Sequence, residues 1–158
     1  MMKVKLTGFA VAAAVLFSCG SVAWSRQVPS SVAGTWRGES ICMDKSRTAC
    51  KNEEVVYRFE EVAGKQGVLT LLADKIIEGR RVPMGKLECK YDEAAGAISC
   101  EFTIRRTHGL WEYKVSGETM EGTLVLLPEK TLGRRVHVKR VADDEVPAPP
   151  DRKEYEGD

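Results

Sequence analysis

The 158-residue chain has two histidines and one asparagine, and its 24 Lys plus Arg nearly cancel its 23 Asp plus Glu. So few histidines leave little for metal or general-base chemistry. A formal charge of only +1 argues against a wholesale nucleic-acid binder, whose footprint is a strong positive excess. Also absent are G-x-S-x-G, H-E-x-x-H, S-x-x-K and a phosphate-cradling glycine loop. The neighbouring acids Glu53-Glu54 and Glu60-Glu61 point to opposite faces of a strand, so neither pair is an acid/base dyad. His108 falls in a loop beside Arg105 and Arg106, and His137 points outward between Arg135 and Lys139. No catalytic residue, metal site or cofactor is expected. A hydrophobic share of 43% fits one globular domain rather than a disordered or multi-span chain.

Both ends read as lying outside that domain. Two lysines open residues 1–5, residues 6–17 carry no charge, and Ser21-Val22-Ala23 supplies a small-x-small exit. This is the pattern of a secretory signal peptide over 1–23, too short to span a bilayer comfortably, with an uncleaved anchor helix as another reading. Leu16-Phe17-Ser18-Cys19 also resembles a bacterial lipobox, in which Cys19 would take the lipid. Either route predicts export, to a periplasmic or secreted state or to a membrane-anchored lipoprotein. Residues 24–30 follow as a linker. At the other end, residues 142–158 hold seven acids and three of the six prolines. That composition predicts a disordered acidic tail.

Past the leader, Cys42, Cys50, Cys89 and Cys100 remain. Export favours bridges over free thiols, and local spacing favours 42–50 and 89–100 among the three connectivities. There is no C-x-x-C, and the histidines are distant, so a metal site is not indicated.

Between residues 31 and 141 the dominant period is two, with turn residues every eight to twelve positions. This predicts an all-β domain with strands at 34–42, 53–62, 68–78, 86–92, 97–105, 110–116, 120–127 and 135–141. Short connections and the lack of a long amphipathic helix make the sheet antiparallel. Eight sequential strands avoid exposed edges by closing as an up-and-down barrel. Alternation turns Trp36, Tyr57, Phe59, Tyr91, Phe102, Trp111 and Tyr113 inward. Pairing Cys89 with Cys100 sets Tyr91 opposite Ile98 and Leu87 opposite Phe102.

Gly34-Thr35-Trp36 opens the first strand, and Arg140 lies inward on the last. This resembles the lipocalin or wider calycin arrangement, in which an arginine from the final strand covers a G-x-W tryptophan at the barrel base. The resemblance implies a structural plug of Trp36 and Arg140 at a closed end, with an open mouth opposite. G-T-W also resembles the start of avidin-like barrels, and small periplasmic protease inhibitors look like disulfide-bonded eight-stranded barrels with a similar opening. V-V-Y-R-F at 55–59, A-D-K-I-I at 73–77, V-P-M-G at 82–85 and M-E-G-T-L at 120–124 resemble small exported bacterial proteins of unassigned function.

In a meander, alternate connections share an end. The set 43–52, 78–86, 105–109 and 128–135 carries eleven cations, Arg81, Arg106, Arg134 and Arg135 among them, against Asp44, Glu78 and Glu129. The set 61–67, 92–96 and 116–119 carries Lys65 against Glu61, Asp92, Glu93 and Glu118. A basic mouth over an aromatic interior suits a small apolar ligand or an amphiphile with an anionic head. Tyr57, Tyr91, Trp111 and Tyr113 would line that interior, with Arg81, Arg106 and Arg135 at the rim. The expected function is thus non-enzymatic binding of such a ligand. The alternative is an interaction protein, such as a hydrolase inhibitor, whose basic rim loops dock on an acidic protein or envelope surface. Nucleic acid is not expected, and a membrane enters through a lipid on Cys19.

Overall fold

A computed structural model of the chain describes residues 32–156. The leader, linker and Cys19 expectations fall outside the described residues. The strands are β1 (Gly34–Cys42), β2 (Glu53–Glu61), β3 (Val68–Ile77), β4 (Arg80–Asp92), β5 (Ala97–Ile104), β6 (Thr107–Ser116), β7 (Thr119–Leu127) and β8 (Thr131–Val141). All neighbours are antiparallel, and β8 pairs with β1 to close the barrel. Five of the eight strands match the sequence-based limits to within one residue.

The exceptions are β4, β6 and β8, which begin six, three and four residues earlier than predicted. Pro83 and Gly85 read locally as turn residues. In the structure they sit where the β3–β4 register shifts, pairing with Asp74 and Ala73 around the extra residue Met84. Proline is tolerated at such a bulge, above all on a strand paired on one side only. The β4–β5 ladder supplies that condition. It runs from Asp92↔Ala97 to Lys90↔Ser99 and stops at the Cys89–Cys100 bridge.

Both expected disulfides are present, with Cα–Cα distances of 5.7 Å for Cys42–Cys50 and 4.2 Å for Cys89–Cys100. Two bridges fit an oxidising environment. Inward alternation fills the barrel with Trp36, Tyr57, Phe59, Leu69, Leu71, Ile98 and Met120, each at most 2% exposed. Arg140 lies 4.3 Å from the Trp36 ring centroid and donates to the Ala33 carbonyl at 2.8 Å. Gly34 has φ +127°, and a Cβ there would sit 2.7 Å from the Arg140 guanidinium. The glycine of G-T-W is therefore required by backbone angle and by the arginine above it. Arg140→Ala should cost about 2 kcal/mol in chemical denaturation. Arg135→Ala, on the exposed wall, should cost under about 0.5 kcal/mol. Equal losses would mean that the arginine does not brace the base.

The acidic tail corrects the composition-based expectation of disorder. Residues 142–156 return along the outside of the barrel as a strap with 3-10 turns at Asp143–Glu145 and Arg152–Tyr155. Thr35 donates to Asp143 at 2.5 Å, Arg37 to the Glu145 carbonyl at 3.0 Å, and Arg152 to both Glu60 oxygens at 2.8 and 2.9 Å. Val146 and Tyr155 are buried, as are the outward-facing Val56 and Leu72. The strap's acids find specific partners on β1 and β2 and in its own turns, where Asp151 and Glu154 exchange capping bonds with backbone N–H groups. Composition counts those acids as solvated and cannot register partners about a hundred residues away.

Candidate functional site

Inward alternation on β2 and β6 brings three of the four proposed lining aromatics together. Tyr113 stacks on Trp111 at 5.6 Å and meets Tyr57 edge-on at 6.0 Å. Tyr91 packs against the same core from β4, without a ring contact to them among the described residues. Tyr57 and Tyr113 are 2% exposed. Burial raises both phenol pKa values well above 10.0, for Tyr57 against the opposing pull of a Ser40 hydrogen bond and the Arg134 charge. They are neutral core groups. Gly122, opposite Tyr113 on β7, leaves the space that the Tyr113 ring occupies.

The arginines divide into three kinds. Arg106 is exposed in the β5–β6 turn, at the rim. Arg135 is exposed on the outer face of β8, cross-strand from Ile41. Arg81 is not at the rim, because β4 extends through it. Its guanidinium lies on the outer wall, with Nε and Nη2 at 2.7 and 2.6 Å from Asp74 Oδ2, and is 2% exposed. Tyr155 of the strap donates to the other Asp74 oxygen at 2.5 Å. Desolvation, first, and the Asp74 hydrogen bond raise the Tyr155 pKa. That buried trio already gives Arg81 its carboxylate partner.

Arg134 behaves unlike a rim residue. It shares the inward phase of Val136, Val138 and Arg140, and donates to Ser40 Oγ at 2.7 Å, the Lys51 carbonyl at 2.7 Å and Glu53 at 2.9 Å. Both ends of the barrel therefore carry an inward arginine. Above Arg134 lies a half-enclosed recess of about 240 Å³. Arg47, Cys50, Leu124 and Leu126 contribute to its lining. A larger depression of about 640 Å³ lies on the outer wall of β6–β8. There Glu112 and Glu121 alternate with Lys114, Arg135 and His137, so no single charge sign prevails.

The mouth end is different. Lys45, Arg47, Lys51, Arg80, Arg105, Arg106 and Lys130 stand exposed there, against Asp44, Glu78 and Glu129. No salt bridge among the described residues engages any of these seven cations. Among the described residues, the five exposed large hydrophobic side chains, Ile41, Met43, Ile77, Met84 and Ile104, belong to the same half of the barrel. Among the described residues, the non-glycine residues at positive φ all fall in turns at this end. The opposite-end turns place Gly64, Gly67, Gly96 and Gly117 at positive φ. The mouth turns place Glu78, Arg105 and Lys130 there, at φ 49°, 55° and 55°, with Gly79 at φ 73° beside Glu78. A non-glycine residue in that region carries a backbone cost of about 1 kcal/mol, so the charged side chains stand where glycine would be easier. His108, which the sequence places in a mouth loop, is on β6 with Nε2 at 2.6 Å from Glu101. No family model matches the chain, and neither a curated protein nor a solved structure matches it.

Proposed function

We propose that this chain is an exported, non-enzymatic interaction module that engages an anionic partner through the mouth end of its barrel. The observation that carries this reading is the group of seven carboxylate-free cations at one end, three of whose turns hold a charged residue at positive φ. A partner surface that supplied phosphate or carboxylate groups would complete those charges. A carrier of a small anionic amphiphile is the second reading. It is favoured by the recess between Arg47, Leu124 and Leu126, and it is opposed by the side chains filling the barrel below.

The test uses immobilised heparin as a generic polyanion. The purified protein should elute at higher salt than an Arg80→Ala, Arg105→Ala, Arg106→Ala variant. A control lacking Lys90, Lys139 and Lys153, exposed cations away from the mouth, should elute with the parent. Identical elution of the two variants would remove the mouth as the binding end.

A further inference from the structure

We infer that the mouth is a membrane-docking tip that settles on an anionic phospholipid surface, an inference that rests on the anionic-partner reading above. Charge alone would fit any acidic macromolecule. The apolar side chains narrow the choice. Ile77 immediately precedes the Glu78-Gly79 turn that leads into Arg80. Ile104, at 55% exposed, is followed directly by Arg105 and Arg106. Met43 opens the loop that carries Lys45 and Arg47. Three separate connections thus repeat one arrangement, a solvent-exposed aliphatic or thioether side chain next to unpaired cations.

That arrangement has a specific physical use. At a bilayer surface, apolar tips enter the boundary between headgroups and acyl chains, while cations remain at the phosphate level on their flexible stems. In water the same side chains are an exposed apolar patch with no compensation. The turns at the opposite end of the barrel carry Glu61, Asp92, Glu93 and Glu118 against Lys65, so they offer an anionic surface no comparable attraction. This asymmetry favours a mouth-down approach before any contact forms. Positive-φ turns hold the charged tips on a short, closed backbone, so little ordering remains to oppose docking.

The test is cosedimentation with vesicles of phosphatidylcholine alone and with about one-third phosphatidylglycerol. The chain carries Cys19→Ala, so that no acyl group contributes, and the neutral vesicles report any binding through the leader. The expected result is retention on the anionic vesicles alone. Arg80→Ala, Arg105→Ala, Arg106→Ala together should weaken it on the order of 100-fold, given the usual attraction per cation near such a surface. Ile77→Ser with Ile104→Ser should weaken it about tenfold through lost apolar burial, and leave heparin elution unchanged. All five positions are exposed, so unaltered melting should accompany each loss.

Heparin retention without vesicle binding would overturn the membrane inference and leave the anionic-partner reading standing, with an acidic protein or glycan as the partner. Loss of both would overturn both. Vesicle binding indifferent to Ile77→Ser with Ile104→Ser would overturn insertion of the tips. A dimer in sedimentation that those two substitutions abolish would assign the mouth to contacts between copies of the chain instead.

Discussion

Replacing Asp74 by Ala should cost the fold about 3–5 kcal/mol, the usual result of stranding a buried charge without its partner. Asp74 is fully buried, and among the described residues no other carboxylate lies within salt-bridge distance of Arg81. A loss of that size is a large share of the roughly 5–15 kcal/mol typical of a domain. Arg81→Ala should cost a comparable amount for the mirror reason. The double replacement Asp74→Leu with Arg81→Met should recover much of the loss, because the desolvation of both ions disappears with them. Tyr155→Phe removes one hydrogen bond to a charged group and should cost about 1.5–3 kcal/mol. Urea denaturation of the four variants gives the comparison. A single-site loss under about 1 kcal/mol would mean that water reaches the pair. Recovery in the double variant would separate a simple loss of apolar packing from the cost of an unpaired ion.

Removing the Cys89–Cys100 bridge by paired alanines should cost about 3 kcal/mol, from chain entropy across a separation of eleven residues. Its effect should spread further than that of the other bridge. The β4–β5 ladder has three residue pairs, and the disulfide stands at its end with both sulfurs in the core. Without it, amide exchange should accelerate along residues 80–92 and 97–104, where the wall has least backbone pairing. Removing Cys42–Cys50 should cost about 2.5 kcal/mol by the same reasoning, with faster exchange confined to the loop of residues 43–52. Hydrogen exchange read by mass spectrometry distinguishes the two patterns. Matching exchange maps would show that the β4–β5 seam does not depend on its bridge.

Alternation and turn spacing were enough for the strand count, the antiparallel order and the pairing of Cys89 with Cys100, because each is a local property. The register Tyr91↔Ile98 appears in the structure as expected. Arg134 was within reach of the same logic. One further step of two from Val136 makes it inward, although the period-two pattern that marks the strand is clear only from residue 135 onward. Local sequence sets Arg81 in a loop because Pro83 and Gly85 are turn residues by propensity, whereas in the structure a bulge accommodates them within a strand. The strap was hidden for a different reason. Its partners Thr35, Arg37, Glu60 and Asp74 are remote in sequence. A signal did exist in Val56 and Leu72, apolar residues in outward phase that a bare barrel would have left in water. At the mouth, the charge excess was legible, but its extent was not. Longer strands move Arg81 and Lys86 to the wall, and Arg134 turns inward, leaving fewer cations at the rim.

Closure of β8 onto β1 and the return of the strap impose an order on folding. The strap's anchoring bonds join positions 81 to 108 residues apart, and β1 pairs with a strand that ends at Val141. Hairpins such as β6–β7 can form as soon as their own residues meet. Closure of the wall must wait for the final strand, and docking of Tyr155 onto Asp74 must wait longer still. Such high contact order places folding in the millisecond-to-second range typical of β-barrels. It also leaves the outward faces of Val56 and Leu72 uncovered until the last few residues arrive.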